Sequence, residues 1–433
     1  MNKTYLKSQI AMRQAEFPTD LMTRENPLPV HSGRIVTIPG VRRCGKTSRM
    51  EAIANELLAN GVGRERFLWV SFDDERMVKM QSEELDQIIE AYREMYPDIE
   101  LDSVYMFFDE IQLIDGWEYF VMRIFKHYSK NIFISGSNAT MLGSELKTAL
   151  RGWPHEEETL PLSFKEYCNF KGLDTAGWQE SQLAKIRNAF VEYNNGGGYP
   201  EVVLTENPLE KVKILQTYFD TMLLKDLAEH YKVSNIEVLR YFLKRIMTNL
   251  TKPTSVRAIH GDIKSRGLKV SKDVLYDWAT YACNIFMFLR VPNYSKSLQK
   301  IESSQPKYYC IDNGLRDAVL LPQSDDNGKK LENTIFLQLY RNRTPVDRIF
   351  YYQGNGECDF VVQRGMDINR LIQVSWDLGN PVTRNREING LLEASEVTGC
   401  TDLYIITAFS EETITADGKT IYVLPAWKWL LGK

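Results

Sequence analysis

The chain has 433 residues, more than one hydrophobic core usually supports, so we expect two or three domains. Hydrophobic residues make up 43% and charged residues 25%, and no apolar run reaches the length of a membrane span, which argues against an integral membrane protein. The six cysteines form no C-x-x-C pair, so neither a zinc site nor a disulfide framework is indicated. The start of the chain lacks an apolar signal core, and we therefore expect a cytoplasmic protein.

The first predicted elements are a helix at residues 6–17 and, after a proline-containing connection, a buried strand at residues 35–38. The strand runs into G-x-x-x-x-G-K-T, the Walker A phosphate loop, and a helix is predicted from there to about residue 60. Gly40 and Gly45 let successive backbone N–H groups point at an anion, and the helix adds the positive end of its dipole. A chance glycine-rich turn is the alternative, but the order of strand, loop and helix favours the phosphate loop.

This loop suits a nucleoside triphosphate with its Mg²⁺ ion. Lys46 is predicted to reach the β- and γ-phosphates, which places it in the catalytic set, and Thr47 is predicted to be a Mg²⁺ ligand. The residues predicted to contact the nucleotide are Gly40, Val41, Arg42, Arg43, Cys44, Gly45, Lys46, Thr47 and Ser48.

A Walker B pair is predicted at the end of the third strand. A second strand at residues 66–72 and an acidic helix at residues 82–95 come first, and an apolar strand then runs from residue 104 into Asp109 and Glu110. Asp109 is predicted to hold the metal through its water shell, and Glu110 to polarise the attacking water. The alternative is a strand that merely ends in solvated acids.

The next two elements are an amphipathic helix and a fourth strand. Asp115 is predicted to cap the helix. The fourth strand, at residues 131–134, is followed by a sensor position at which Ser137 or Asn138 contacts the γ-phosphate or the water, although a helix cap is an equal alternative. The buried stripe of the helix is predicted to contain Trp117, Phe120, Val121, Ile124 and Phe125.

The last elements of this region are a helix at residues 142–150, a fifth strand at residues 159–162, and a helix that begins at Ser163 with a capping box. Strands that alternate with helices predict the α/β class, with a parallel sheet and a site at the carboxyl ends of its strands.

Four motifs give the chain a resemblance to a known family. It resembles the AAA-type ATPases of bacteria and archaea that carry a C-terminal domain of unknown function, and the resemblance covers nearly the whole chain. In that family an arginine commonly follows the glycine after the sensor helix, whereas here Trp153 stands there and Arg151 precedes the glycine. Arg151 is therefore either a catalytic arginine finger or a surface charge. The motifs are Gly40 to Thr47, Phe107 to Gln112, Ile134 to Ala139 and Leu160 to Tyr167.

The middle of the chain is predicted to be helical. A glycine-rich turn at residues 194–200 is a hinge candidate, and helices at residues 236–250, 255–265 and 271–283 precede two short strands, a winged-helix pattern. Residues 232–300 contain 13 Lys or Arg against 4 Asp or Glu, within a chain whose net charge is −4. This basic block indicates either contact with nucleic acid or a solvated face. Because the third helix offers few base-reading side chains, any binding is predicted to tolerate different base sequences.

The remaining residues, from about 330, alternate strands with two helices, and in the resembled family this part is similar to restriction endonucleases. Asp359 occupies the position of the metal aspartate, and Glu332 is expected near it. The usual Glu-x-Lys is replaced here by Gln373, Val374 and Ser375, so we expect no cleavage.

These patterns predict a Mg²⁺-dependent ATPase. Its three predicted domains are an AAA-type P-loop domain at residues 1–193, a helical lid and winged-helix region at residues 194–329, and an inactive restriction-endonuclease-like domain at residues 330–433. ATP hydrolysis would drive a conformational change in the C-terminal half. The rival is a nucleotide-gated switch with slow or no turnover that docks a protein partner. Assembly into a homo-oligomer is left open, and no membrane partner is expected.

Overall fold

The computed structural model describes residues 3–77, 80–137, 154–177, 179–320 and 326–433. These residues divide into two compact units. Unit 1 comprises residues Met1–Leu160 with Asn284–Phe286, and unit 2 comprises Pro161–Cys283 with Met287–Lys433. The division into three domains remains a prediction. Within the described ranges, no helix combines the length and the apolar character that crossing a bilayer requires.

Unit 1 contains a five-stranded sheet in the order β2-β3-β4-β1-β5. Every neighbouring pair is parallel, which confirms the predicted α/β class. The fourth strand in the chain lies between the first and the third, so the ends of these three strands meet at one edge. The strands are β1 Ile35–Pro39, β2 Phe67–Ser71, β3 Tyr105–Asp109, β4 Ile132–Gly136 and β5 Pro154–Glu156.

Helices cover both faces of this sheet, and two apolar clusters fill the space between them. The predicted stripe of the fourth helix is buried as expected, but Asp115 does not cap that helix. Gly116 takes the cap position with φ 77°, a left-handed conformation that glycine adopts without strain, and no side chain caps the helix. The helices are α1 Lys3–Glu16, α2 Lys46–Ala59, α3 Asp86–Met95 and α4 Trp117–His127.

The fifth strand lies earlier in the chain than residues 159–162. Residues Pro154–Glu156 pair with β1 from Ile35 to Thr37, and Thr159 forms only an isolated bridge with Gly40. Pro161 has no N–H group to donate to a ladder, which disfavours a strand over that stretch. The chain still runs beside the phosphate loop at residue 159.

Unit 2 begins with helices, of which the first starts with the predicted capping box between Ser163 and Glu166. Three helices followed by the antiparallel pair β6 and β7 agree with the predicted element order, with β6 at Phe288–Val291 and β7 at Lys307–Cys310. Pro253 adds a bridge to the same hairpin. The helices before β6 span Phe164–Phe170, Glu180–Gly196, Pro200–Leu204, Pro208–Thr221, Met222–Glu229, Ile236–Thr248, Val256–Ser265 and Lys272–Asn284.

The loop between β6 and β7 is bonded to the C-terminal sheet. The backbone N–H of Tyr294 donates to the Tyr351 carbonyl at 2.6 Å, and that of Tyr351 donates to the Pro292 carbonyl at 3.1 Å. The Tyr351 hydroxyl also donates to the Gln305 carbonyl at 2.6 Å. The β6–β7 loop, which would be the wing of a winged-helix domain, is therefore engaged in contacts with the C-terminal sheet.

The glycine-rich turn proposed as a hinge is buried at Gly197, Gly198 and Tyr199, while Gly196 is exposed. Gly197 ends the Glu180–Gly196 helix with φ 77°, and a Cβ there would lie 2.1 Å from a carboxylate oxygen of Asp312. The Gly198 N–H donates to the same carboxylate at 2.6 Å. Movement at this turn would have to break these contacts, so its role as a hinge remains a prediction without support from the packing.

The C-terminal part of unit 2 is a mixed six-stranded sheet in the order β12-β13-β11-β10-β9-β8. The strand β12 was not predicted from the sequence. The strands are β8 Asp347–Gln353, β9 Glu357–Arg364, β10 Asp367–Val374, β11 Leu403–Thr407, β12 Glu412–Ala416 and β13 Lys419–Pro425. The helices around it span Leu298–Ser303, Asn313–Val319, Asn327–Arg341, Pro381–Thr398 and Ala426–Leu430.

Candidate nucleotide-binding site

The phosphate loop connects β1 to α2, as the motif predicts. Gly45 at its end has φ 96°, a conformation that a residue with a Cβ rarely adopts, and Arg43 is also left-handed with φ 68°. Gly40 is needed for a different reason, because a Cβ there would lie 2.1 Å from the Thr159 carbonyl oxygen. Gly45 therefore allows the turn of the loop, and Gly40 allows the close approach of the segment at Thr159.

Lys46 lies inside the loop and is buried. Its ammonium donates to the carbonyl oxygens of Gly40 at 3.2 Å and Val41 at 3.3 Å, and it lies 3.3 Å from Oε1 of Glu110. Burial lowers the pKa of Lys46, but Glu110 and the other nearby acids outweigh this, so the pKa is raised and the side chain stays charged. The loop therefore holds a fixed positive charge.

Asp109 at the end of β3 faces Thr47 at the start of α2. The Thr47 hydroxyl donates to Oδ2 of Asp109 at 2.8 Å, and the Ser135 hydroxyl at the end of β4 donates to Oδ1. This hydroxyl and carboxylate pair fits Mg²⁺, a hard cation that takes one or two protein oxygens and fills its other positions with water and phosphate. The described part of the chain contains no cluster of three or more His, Cys, Asp or Glu arranged for a metal.

Glu110 follows Asp109 in a left-handed conformation with φ 55°. Its Oε2 accepts from the Ser137 N–H at 3.2 Å and from the side-chain amide of Gln112. Burial acts to raise the pKa of Glu110, but Lys46, Arg42 and the Gln112 hydrogen bond outweigh it, and the pKa is lowered. A carboxylate that stays ionised can accept a proton from water.

Burial, with Glu110 beside it, raises the pKa of Asp109 to about 6 from its ordinary 3.8. Since the folded-state pKa lies above that of the unfolded chain, ionisation of Asp109 lowers the stability of the ligand-free protein as pH rises through this window. A Mg²⁺ ion held at this carboxylate would favour the ionised form and relieve that cost.

We therefore expect Mg²⁺ to strengthen ATP binding less as pH falls below about 6, approaching tenfold per pH unit, because protons compete for Asp109. Titration of a fluorescent ATP analogue between about pH 5 and pH 7.5, with Mg²⁺ or with EDTA, measures this ratio. The EDTA series corrects for protonation of the nucleotide. A ratio that does not change with pH, or that changes equally in Asp109→Asn, would contradict the assignment.

Two arginines tie the phosphate loop to the segment that ends unit 1. Arg24 donates to the carbonyl oxygens of Cys44 at 3.0 Å and Leu160 at 2.9 Å. Arg49 on α2 donates to the Thr159 hydroxyl at 2.9 Å, and the Cys44 thiol donates to the Thr159 carbonyl at 3.1 Å. Burial raises the pKa of Cys44, which favours the neutral thiol that makes this hydrogen bond.

The structure thus brings Lys46, Thr47, Asp109 and Glu110 together, while Ser48 lies exposed at the start of α2. The predicted sensor Asn138 and the predicted arginine finger Arg151 lie outside the described residues. The sequence reasoning missed Ser135, Gln112, Arg24 and Arg49. Ser135 and Gln112 had a signal, since both lie within motifs that carried the family resemblance.

A second charged cluster lies in unit 2, around the predicted metal aspartate. Lys307 on β7 is fully buried, and its ammonium lies 3.0 Å from Glu332, 2.7 Å from Glu357 and 3.1 Å from Asp359. Burial lowers the pKa of Lys307, but these acids and Tyr309 outweigh burial and raise it. The expected proximity of Glu332 and Asp359 is therefore confirmed, with a lysine between them that the sequence analysis did not identify.

The chain matches two family models, an AAA domain over residues 32–168 and a domain of unknown function, DUF8612, over residues 187–326. It is 30% identical over 424 residues to the uncharacterized protein MJ1544 of Methanocaldococcus jannaschii, covering 95% of this chain and 91% of that one. An uncharacterized protein of Haemophilus influenzae is 27% identical over 398 residues, covering 92% of this chain and 94% of that one.

Among solved structures, the Walker-type ATPase PABY2304 of Pyrococcus abyssi matches with 14% identity and a TM-score of 0.44, covering 72% of this chain and 94% of that one. The phosphate loop and the parallel sheet agree with the AAA domain that the family model assigns. Given the identity and coverage above, the chain belongs to the family of the M. jannaschii protein MJ1544 and combines a P-loop AAA domain with a domain of unknown function.

Proposed function

We propose that the chain is a Mg²⁺-dependent ATPase that hydrolyses ATP to ADP and phosphate. One observation carries the proposal, namely that Lys46, Thr47, Asp109 and Glu110 meet at the carboxyl edge of the unit 1 sheet. Each has the chemistry that phosphoryl transfer to water requires. No Asn-Lys-x-Asp motif is present to read guanine, which favours ATP over GTP.

Each residue of the site has its own role in the proposed hydrolysis of ATP. The loop N–H groups and the Lys46 ammonium bind the phosphates, for which Lys46 leaves its contact with Glu110. Thr47 and Asp109 would hold Mg²⁺, which supplies charge neutralisation for the β- and γ-phosphate oxygens when bound. Glu110 accepts a proton from the water that attacks the γ-phosphorus, and ADP leaves with the bridging oxygen.

The contacts of the phosphate loop offer a route that couples ATP hydrolysis to unit 2. Arg24, Arg49 and Cys44 connect it to residues 158–160, directly before the chain enters unit 2. A change of loop conformation on ATP binding or phosphate release would move this segment. In the proposal, that movement drives a conformational change in unit 2.

The alternative is a switch that binds ATP and turns it over slowly or not at all while docking a protein partner. The contact between Lys46 and Glu110 is compatible with both functions, because ATP would break it in either case. The experiment that tests the proposal is phosphate release from ATP by the purified chain, with Lys46→Ala as the negative control. Tight binding without phosphate release in the unmutated chain would favour the switch.

A second candidate function is sequence-tolerant contact with nucleic acid. An open cleft of about 430 Å³ in the basic block is lined by residues that include Lys232, Lys269, the carboxylate Asp277 and the stacked aromatic pair Tyr231 and Tyr281, whose ring centroids lie 3.7 Å apart. Lysines provide charge for phosphates, and aromatic faces accept bases of any sequence. Since the β6–β7 loop is bonded to β8, the helices would make the contact.

We expect a labelled oligonucleotide to bind with an affinity that falls steeply as salt rises and depends little on base sequence. Lys232→Ala with Lys269→Ala should reduce the slope of log Kd against log salt by about 2, because two phosphate contacts are lost. Lys185→Ala, an exposed lysine outside the block, is the matched control and should leave the slope unchanged. Absence of binding at low salt would make the block a solvated face.

A further inference from the structure

We infer that Gln112 is a positioning residue for the general base, holding one oxygen of Glu110 so that the other faces the attacking water. This inference rests on the proposed ATPase function. Gln112 follows Glu110 by two residues, in the short 3-10 turn Ile111–Leu113, and its side chain is 8% exposed.

The orientation of the Gln112 amide follows from chemistry. Its nitrogen Nε2 donates to Oε2 of Glu110, and an ionised carboxylate can only accept. The amide nitrogen must therefore face Glu110, and the amide oxygen must face away. Gln112 thus supplies a directed hydrogen bond to the proposed base.

The two oxygens of Glu110 have different partners. Oε2 accepts from Gln112 and from the Ser137 N–H at 3.2 Å, whereas Oε1 lies 3.3 Å from the Lys46 ammonium. When Lys46 turns to the phosphates, Oε1 loses this contact and Oε2 keeps both of its hydrogen bonds. The geometry therefore assigns Oε1 as the oxygen that accepts the proton, and Gln112 as a residue that keeps it in place.

The environment of the Gln112 amide oxygen argues against a purely structural role. It is buried and has no hydrogen-bond partner among the described residues. A buried, unpaired carbonyl destabilises the folded state, and an apolar side chain of similar size would avoid that cost. A glutamine at this position is therefore explained better by its bond to Glu110 than by stability.

The test replaces Gln112 with leucine and measures kcat, ATP affinity and the melting temperature. We expect kcat to fall about tenfold to hundredfold because the base is misplaced, with ATP affinity and melting temperature little changed. Because Gln112 is inferred to act through Glu110, the double variant Glu110→Gln with Gln112→Leu should be no slower than Glu110→Gln alone. A purely structural effect of Gln112→Leu would slow the double variant further.

Gln14 provides a matched control in the same unit. It is also buried, donates to the Phe67 carbonyl at 2.8 Å and accepts from the Tyr96 hydroxyl at 2.7 Å, away from the phosphate loop. Gln14→Leu removes a buried glutamine without touching Glu110, and should lower the melting temperature with little effect on kcat. Gln112→Met serves as a second variant if the leucine variant fails to fold.

Each outcome separates this inference from the function on which it rests. If Glu110→Gln is inactive while Gln112→Leu has an unchanged kcat, the positioning role is wrong and the ATPase stands. If both Gln112 variants unfold, the role is structural and the inference is wrong. If the unmutated chain releases no phosphate, the proposed function itself fails.

Discussion

Replacing Glu110 with glutamine is expected to reduce ATP turnover by about 10²-fold or more while the protein still binds ATP. The amide keeps the size of the side chain and a hydrogen-bonding oxygen but cannot accept a proton from water. Lys46→Ala should instead weaken ATP binding, because the ammonium that meets the phosphates is lost. Release of phosphate and binding of a fluorescent ATP analogue, measured on the same samples, distinguish the two effects.

Glu56→Gln is a suitable control, since Glu56 lies exposed on α2 and should leave both measurements unchanged. Turnover by Glu110→Gln at the unmutated rate would show that Glu110 does not activate the water. A loss of ATP binding in Glu110→Gln would also contradict the assignment. The substitution weakens the contact between Glu110 and Lys46, and ATP must itself break that contact in order to bind.

Replacing Lys307 with methionine is expected to destabilise unit 2 by about 3–5 kcal/mol. The side chain is fully buried, and its ammonium lies within hydrogen-bonding distance of carboxylate oxygens of Glu332, Glu357 and Asp359. Methionine fills a similar volume but leaves buried acids without their cation. The midpoint of the urea unfolding transition of the unit gives the loss.

Two further variants show whether charge is the cause. Lys428→Met removes a lysine that pairs with the exposed Glu411, and should cost no more than about 1 kcal/mol. Adding Glu332→Gln and Asp359→Asn to Lys307→Met should recover part of the loss, since the uncompensated charges disappear with them. If Lys307→Met is as stable as the unmutated chain, the cluster is not held together by its lysine.

The lysine also bears on the C-terminal region, for which the family resemblance implied a similarity to restriction endonucleases. Gln373 donates to Glu387 and accepts from the Asp359 N–H at 3.1 Å, so it is engaged within the protein. With Lys307 among the acids and no carboxylate at residue 373, we propose that this region does not cut nucleic acid. Supercoiled plasmid incubated with the chain and Mg²⁺ should stay intact, and cleavage that disappears in Asp359→Ala would overturn the proposal.

The sequence predicted the phosphate loop and the strand that leads into Asp109 because their signals are local. Strand, loop and helix follow one another within residues 35–59, and Asp109 and Glu110 end a strand whose apolar run is continuous. The position of β5 was wrong, since it depends on pairing with β1, more than a hundred residues away. The prediction that Asp115 caps α4 was also wrong, because Gly116 takes the cap position in a left-handed conformation that glycine adopts freely.

Apart from Gln112, whose partner Glu110 is two residues away, the residues that were not predicted have partners from elsewhere in the chain. Ser135 contacts Asp109 across neighbouring strands, and Arg24 reaches both the phosphate loop and Leu160. Lys307 was counted as part of no motif, because its three acids lie 25 to 52 residues further along the chain. Such pairings are set by the packing of strands and helices, on which spacing in the sequence gives no information.

The Lys307 cluster also limits how this protein can be divided into fragments. A fragment that ends at residue 329 would retain a buried ammonium and lose all three of its carboxylates, and a fragment that begins at residue 330 would retain the acids without the cation. Neither piece could bury those charges, and each would expose the surface that now surrounds them. The helices and the C-terminal sheet therefore depend on each other for folding. A gene that carried one of them without the other would encode a fragment that folds poorly.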